Sequence, residues 1–222
     1  MNNFATMTST THLNNIGADI ASKLLDIEAI KLSIEKPFTW ASGWKSPIYC
    51  DNRLSLSYPA IRTAIKEALV EVIKSKYDNV EAIAGVATAG IPQGALVAEA
   101  LNVPFIYVRS KPKGHGMENM IEGKVTPGQK VVVIEDLVST GGSSLKAVAD
   151  LRNSGFEVLG MAAIFTYGFD IAAKNFKEAN VTLTSLSNYK LLLQEALKRG
   201  YVIDAQLPHL ESWRSNPASW GK

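Results

Sequence analysis

Residues 131–144 (VVVIEDLVSTGGSS) combine two adjacent carboxylates with a short run of hydroxyl-bearing and glycine residues. The β-branched run at residues 131–134 has no polar alternation, which predicts a strand buried on both faces, as in a parallel sheet. Glu135 and Asp136 would then lie at its carboxyl end, the edge at which open α/β sheets bind ligands. Two carboxylates there can accept hydrogen bonds from a vicinal diol such as that of a ribose.

The turn that follows, Ser139, Thr140, Gly141, Gly142 and Ser143, offers hydroxyls and closely approachable N–H groups at the start of a predicted helix. Such a turn binds phosphate, since the helix dipole adds positive potential. It lacks the G-x-G-x-x-G and Gly-Lys-Ser/Thr signatures of dinucleotide and P-loop sites. An ordinary corner with a serine N-cap is the alternative, but it leaves the acidic pair unexplained.

A second glycine-rich turn, residues 84–94 (AGVATAGIPQG), also joins a predicted strand to a predicted helix. Its backbone amides could bind a second phosphate group. Taken alone, the pattern equally fits an ordinary strand-to-helix turn. The acidic segment is what favours the functional interpretation.

A long stretch of low apolar periodicity, residues 110–128, follows the strand that ends at Arg109. Lys111, Lys113 and His115 add positive charge near its start, and glycines at 114 and 116 allow it to move. Long loops in compact domains are often lids over a site. We therefore expect an electropositive lid over a pyrophosphate, with a solvated surface loop as the alternative.

Alternating strands and helices from residue 58 onward must position these segments, and the alternation predicts an α/β fold with a doubly wound, mostly parallel sheet. A mixed aromatic, glycine and proline segment at 38–53 predicts two short strands outside the core sheet. The predicted order is helix 16–34, the short strands, helix 59–76, strand 81–86, helix 91–101, strand 104–109, loop 110–128, strand 130–135, helix 143–154, strand 157–166, helix 169–178, strand 181–186 and helix 188–199.

The length of 222 residues and the absence of an internal repeat predict one domain over 1–222. We expect a core at about 58–200, and a small lobe, the hood, from about 1–57 plus the C-terminal tail. The net charge of +2 argues against nucleic-acid binding. A single cysteine, Cys50, is consistent with a reducing cytoplasm. No secretory signal or membrane-spanning run is present, so no membrane partner is expected.

The acidic segment resembles the 5-phosphoribosyl 1-pyrophosphate (PRPP) motif of type I phosphoribosyltransferases: an apolar run, an acidic pair, two apolar residues and a Ser/Thr/Gly loop. Two further segments, R-x-K-x-K-G-H-G from Arg109 and FTWASGWKSPIYCDNR at 38–53, are similar to orotate phosphoribosyltransferases. The likeness extends from about residue 16 to 200. It implies transfer of a phosphoribosyl group from PRPP to orotate in pyrimidine biosynthesis.

The resemblance also implies roles for individual residues, and Mg²⁺ held mainly by substrate and water rather than by protein ligands. Lys113, His115 and Asp136 would be catalytic, and Ser139, Tyr49 and Lys45 would bind orotate. The family works as a homodimer in which the lid reaches the partner's site. The implied PRPP-binding residues are Thr88, Ala89, Gly90, Arg109, Lys113, His115, Glu135, Asp136, Leu137, Val138, Ser139, Thr140, Gly141, Gly142 and Ser143.

Several positions depart from the pattern of better-known bacterial members, mostly in the base pocket. Residues 40–43 read WASG where many members have LKSG, so Lys45 would replace a base-pocket lysine. Thr88 and Ala89 stand in place of a Tyr-Lys pair, and Tyr167 and Gly168 occupy a place where many members carry an arginine. Three alternatives follow: the same transfer to another base, a non-catalytic PRPP-sensing regulator, and a generic nucleotide-binding module.

Overall fold

The computed structural model describes residues 2–111 and 120–221, with side chains from residue 11 onward. A six-stranded sheet forms its centre, and two small two-stranded sheets lie outside it. The helices are α1 (Asn2–Asp26), α2 (Pro59–Lys76), α3 (Gly90–Leu101), α4 (Gly142–Asn153), α5 (Asp170–Glu178), α6 (Tyr189–Lys198) and α7 (Leu207–Ser215). The strands are β1 (Ile30–Leu32), β2 (Phe38–Thr39), β3 (Lys45–Ser46), β4 (Ile48–Cys50), β5 (Ala82–Val86), β6 (Phe105–Val108), β7 (Ile121–Glu122), β8 (Lys130–Val138), β9 (Glu157–Thr166) and β10 (Leu183–Asn188).

The strand order of the central sheet is β10-β9-β8-β5-β6-β7. All neighbours are parallel except β7, which pairs antiparallel with β6 at one edge. The strand β8 lies between β5 and β9, and its residues 131–135 are all buried, as its unbroken apolar run predicts. The predicted doubly wound, mostly parallel α/β fold is confirmed.

The predicted helix over 16–34 is wrong at its C-terminal end. The helix α1 ends at Asp26, and Glu28 follows with a left-handed φ of 54°. Ile30 and Leu32 then alternate with Lys31 and pair antiparallel with β4. A strand buries these two apolar side chains on one face, which is the period-2 pattern that the helical interpretation overlooked.

The strand β8 is also three residues longer than the predicted 130–135. It continues to Val138 because β9 extends beside it, with Val138 opposite Thr166. Glu135 and Asp136 therefore lie inside the C-terminal half of the strand, not after its end. The predicted loop 110–128 contains the short strand β7, and α7 was not predicted as a helix.

The α3 helix approaches the sheet closely through three glycines. A Cβ on Gly90 would lie 2.4 Å from the carbonyl oxygen of Ile134, and one on Gly85 would lie 2.9 Å from the carbonyl oxygen of Gly90. On Gly94 it would lie 2.7 Å from the ring of Phe105. Only glycine lets the start of α3 contact β8 next to the acidic pair.

We expect Gly90→Ala to destabilise the protein, because the new methyl group must displace backbone rather than a flexible side chain. The cost should be roughly 1–3 kcal/mol of unfolding free energy, as for an overpacked core. The matched control is Gly142→Ala in the first turn of α4, where the nearest atom to an added Cβ is Thr140 Oγ1 at 4.0 Å. Chemical denaturation of both variants checks this. Equal stability of the two variants would contradict the close approach.

Candidate active site

The acidic pair is buried and anchored. Glu135 is only 5% exposed, and its Oε2 accepts a hydrogen bond of 2.9 Å from Ser144 Oγ in the first turn of α4. Its Oε1 accepts a bond of 3.0 Å from the backbone N–H of Asp136. Asp136 is half-buried and keeps access to solvent. Glu135 is therefore fixed in place, and Asp136 is the more open carboxyl.

Burial, followed by the negative charge of Asp136, raises the pKa of Glu135 to about 8. Burial also raises the pKa of Asp136, but the hydrogen bond that this carboxyl shares with Glu135 acts in the opposite direction. The positive charge of Arg53 likewise lowers the pKa of Asp136. When the pair holds a single proton, that proton therefore resides mainly on Glu135, and the negative charge lies mainly on Asp136. Perturbed pairs of this kind are concentrated at functional sites.

The turn after β8 has a backbone suited to an anion. Gly141 adopts a left-handed φ of 83° at the N-cap of α4, and a Cβ there would lie 2.6 Å from the Phe176 ring. Asn175 Nδ2 donates to the carbonyl oxygen of Thr140 at 3.0 Å and holds the turn from behind. Gly142 and Ser143 are exposed at the helix start, where backbone N–H groups lack helical partners. This arrangement presents N–H donors outward for a phosphate group.

The second glycine-rich turn lies beside the first. The close contact of Gly90 with Ile134 brings the start of α3 against β8, and Thr88 is exposed just before it. The Ala87–Thr88 peptide is cis, and the N–H of Ala87 donates to the carbonyl oxygen of Val108 at 2.9 Å. Two anion-binding turns therefore lie next to the acidic pair, one on β8 and one on its neighbour β5.

A segment from the N-terminal part of the chain covers the same edge of the sheet. Asn52 Nδ2 donates to the backbone carbonyl of Asp136 at 2.7 Å, and the Cys50 thiol donates to Asn52 Oδ1 at 3.3 Å. Arg53 forms an ion pair of 2.6 Å with Asp51. Tyr49 lies in β4 three residues before Asn52, is 43% exposed and has its ring 5.7 Å from that of Phe38. The candidate site thus has an acidic centre, two glycine-rich turns and a segment from the N-terminal part of the chain attached beside them.

Known proteins resemble this chain in sequence and in fold. Residues 56–192 match the model of the phosphoribosyl transferase domain. An orotate phosphoribosyltransferase of Cytophaga hutchinsonii is 60% identical over 208 residues, which is 94% of this chain and all of the relative. One from Listeria innocua is 53% identical over 94% of this chain and all of the relative.

A solved structure of orotate phosphoribosyltransferase from Aeropyrum pernix is 30% identical, with a TM-score of 0.73 over 83% of this chain and 99% of that one. The chain belongs to the orotate phosphoribosyltransferase family. The resemblance and the fold that the sequence predicts are therefore confirmed.

The resemblance also assigns roles to Lys45, Arg109, Lys113 and His115. Arg109 Nη1 donates to Glu122 Oε1 at 3.0 Å, which ties it to β7 beyond the edge of β6. Lys45 donates to Thr39 Oγ1 at 2.8 Å within the β2–β3 hairpin, apart from the acidic pair. Lys113 and His115 lie outside the described residues.

The predicted PRPP-binding residues at the end of β8 and in the turn after it differ in how exposed they are. Val138 is fully buried, and its carbonyl oxygen accepts from Thr166 Oγ1 at 3.1 Å. Leu137, Ser139 and Thr140 are partly exposed. Val138 therefore supports the turn from the core, and the residues after it face the open side.

Three supporting side chains were missed by sequence reasoning. Ser144 follows the predicted serine-glycine turn directly, so its hydroxyl could have been found by extending that turn by one residue. Asn52 lies within the aspartate-asparagine-arginine run at 51–53, but its bond to Asp136 spans 84 positions of sequence. Asn175 lies in the middle of α5 and gives no local signal.

The raised pKa of Glu135 predicts a pH dependence of stability. The native carboxyl keeps its proton to higher pH than the unfolded chain does, so its contribution is fully present at pH 4 and is lost as the pH rises toward 8. The unfolding free energy of the ligand-free protein should fall by on the order of 2 kcal/mol between pH 5 and pH 8. Glu135→Gln should flatten this fall, as measured by denaturant titration across pH. Parallel profiles for the variant and the parent would contradict the assignment.

Proposed function

We propose that the protein transfers the 5-phosphoribosyl group of PRPP to orotate, yielding orotidine 5′-monophosphate and pyrophosphate in de novo pyrimidine biosynthesis. The observation that carries the proposal is the buried Glu135 and the half-buried Asp136 beside two glycine-rich turns suited to anions. PRPP has two phosphate-bearing ends separated by a ribose diol, and this site offers donors and acceptors in that arrangement. The 53–60% identity to orotate phosphoribosyltransferases supports orotate as the acceptor.

In the proposed complex the chain holds PRPP at three points. Residues 139–143 donate N–H and hydroxyl groups to the 5-phosphate, where the α4 dipole adds positive potential. Glu135 and Asp136 accept hydrogen bonds from the ribose hydroxyls. Thr88, Ala89 and Gly90 donate backbone N–H groups to the pyrophosphate.

During transfer, the bond from ribose C1 to the pyrophosphate oxygen breaks, a bond from an orotate ring nitrogen to C1 forms, and the proton of that nitrogen passes to solvent. The electron pair of the broken bond leaves with the pyrophosphate, so positive charge develops on the sugar ring. Asp136, the more ionised carboxyl of the pair, places negative charge near that ring. A preorganised charge in a water-poor site stabilises the transition state more than the ground state.

Negative charge develops at the same time on the departing pyrophosphate. We propose that Arg109, Lys113 and His115 bind it, with Lys113 and His115 contributed by the lid that the sequence predicts. Arg109 directly follows β6, and the neighbouring strand β5 leads to Thr88. Cations placed where charge develops are a large catalytic contribution in group transfer.

Mg²⁺ fits this site as a substrate-bound cofactor. Among the described residues no group of three or more His, Cys, Asp or Glu side chains could hold a metal ion. Mg²⁺ commonly takes only one or two carboxylates and completes its shell with water and substrate phosphate, and the acidic pair offers two carboxylates. When bound, it would neutralise part of the pyrophosphate charge.

We further propose that orotate binds between Ser139 and the hood, where Tyr49 and Lys45 would contact it. The hood at about 1–57 and the core at about 58–200 remain a proposal, as does a homodimer that shares the lid. Within the described part of the chain, no helix is long and apolar enough to cross a membrane. A cytoplasmic location is proposed from the single cysteine and the family's biosynthetic role.

The direct test is loss of orotate absorbance when PRPP and Mg²⁺ are added to the purified protein, with adenine, guanine and uracil in parallel. We expect consumption of orotate that requires both additions. Turnover of another base instead would retain the transfer chemistry and overturn the proposed pocket. Binding of PRPP without turnover of any base would favour a PRPP-sensing regulator.

Asp136→Asn should lower kcat by roughly 10²–10³, because the neutral amide cannot stabilise positive charge on the sugar ring. The matched control is Asp150→Asn on α4, where the partly exposed Asp150 carboxylate forms an ion pair of 3.0 Å with Lys146. Steady-state assays and thermal melts of both variants provide the measurement. If Asp136→Asn loses its melting transition, the carboxylate is structural, and unchanged turnover would refute its role.

A further inference from the structure

The C-terminal helix α7 is attached to the fold through one aromatic cluster. Trp213 is fully buried, and its ring lies 5.7 Å from Trp40, 5.5 Å from Tyr167, 5.2 Å from Phe169 and 5.2 Å from Tyr189. These five rings, the aromatic cluster, come from the β2–β3 hairpin, the end of β9, the start of α5, the start of α6 and α7. Trp213 therefore docks the C-terminal tail onto four separate segments of the fold.

Two hydrogen bonds from neighbouring residues of α7 reach two different segments. Trp213 Nε1 donates to the backbone carbonyl of Lys45 in β3 at 3.2 Å. Arg214 Nη1 donates to the backbone carbonyl of Gly168, just after β9, at 3.0 Å. The helix therefore holds the hairpin and the β9–α5 turn in a fixed relation to each other.

Apart from Trp213, α7 buries Leu210 fully, and the other residues of the helix are partly or wholly exposed. The backbone carbonyl of Leu210 accepts a 3.2 Å bond from the Tyr189 hydroxyl. A cavity of about 520 Å³ lies between α6 and α7, lined in part by Leu193, Leu197, Leu207 and Glu211. Because the cavity removes packing along one side of α7, the position of the helix depends on Leu210, Trp213 and Arg214.

Both segments that α7 holds lead directly to the candidate active site. Trp40 Nε1 donates to the carbonyl oxygen of Ile48 at 3.1 Å, which links the hairpin to the strand that carries Tyr49. Tyr167 follows Thr166, which lies opposite Val138 at the end of β8. A shift of either segment would change the distance between the hood and the turn that begins at Ser139.

We propose that Trp213 and Arg214 are positioning residues, which set the orotate side of the site by clamping the β2–β3 hairpin to the β9–α5 turn. The proposal rests on the proposed function in placing orotate between the hood and Ser139. Neither residue touches substrate. The PRPP side is built on β5, β8, α3 and α4, and the hydrogen bonds of Trp213 and Arg214 go to other segments.

The test uses Arg214→Ala, Arg214→Lys and Trp213→Phe, the last of which keeps an aromatic ring but loses the N–H donor. The matched control is Arg152→Ala. Arg152 also donates to two backbone carbonyls, those of Ala179 and Asn180, at 2.7 and 2.9 Å, but at the opposite end of the sheet strands. Each protein is assayed by hydrogen–deuterium exchange, by thermal melting and by steady-state kinetics in both substrates.

We expect Arg214→Ala and Trp213→Phe to speed hydrogen–deuterium exchange in residues 38–50 and 167–169. Each variant should also raise the KM for orotate about three- to tenfold, because each loses one hydrogen bond. The KM for PRPP should stay within about twofold, a split that a general loss of stability would not produce. Arg214→Lys should restore part of the effect. Arg152→Ala should lower the melting temperature without changing either KM.

Unchanged exchange in both segments would overturn the clamp, whatever the activity. Faster exchange with an unchanged KM for orotate, or equal rises in both KM values, would show that α7 is merely structural and would overturn its positioning role. If the parent protein fails to consume orotate, the proposed function fails instead. The exchange data would then still decide whether the clamp exists, and the claim about orotate would fall with the function.

Discussion

Two carboxyl residues adjacent in sequence lie in the C-terminal half of β8, and the rest of the site is organised around holding them there. Burying adjacent acids is unfavourable, since each disfavours ionisation of the other. The chain offsets part of this cost with the Ser144 hydroxyl and the Asp136 N–H, which both donate to the Glu135 carboxylate. A site that keeps such a pair is preorganised for a ligand that supplies hydroxyl donors and developing positive charge.

The acidic pair acts only because other segments meet it closely. Gly90 brings the start of α3 against the backbone of β8, and Gly141 turns the chain tightly into α4. Any side chain at Gly90 would push one anion-binding turn away from the other. On the opposite side, α7 ties the β2–β3 hairpin to the turn just after β9. The candidate site is thus assembled from segments that are distant in sequence and that meet at the carboxyl edge of one mostly parallel sheet.

The sequence predicted the central features because they are locally encoded. The apolar run of β8, the acidic pair and the Ser/Thr/Gly turn are contiguous, so their order alone indicates a strand, a ligand edge and a phosphate-binding helix start. Features that depend on tertiary pairing were missed. The last residues of the helix predicted through Ile34 form the strand β1 instead, because β4 supplies a pairing partner. The strand β8 extends to Val138 because β9 pairs with it over that length. The bonds from Asn52 and Trp213 join residues 84 and 168 positions apart, a separation that no local pattern reports.

The measurement that tests the account most directly is a crystal structure of the protein with Mg²⁺ and PRPP. The account predicts ribose hydroxyls within about 2.6–3.2 Å of the carboxylate oxygens of Glu135 and Asp136, and the 5-phosphate on the N–H groups of residues 139–143. It also predicts the pyrophosphate against Thr88 to Gly90. A ribose bound away from the acidic pair, or PRPP seated in the cavity between α6 and α7, would contradict the central claim that the carboxylates of β8 are there to hold the sugar.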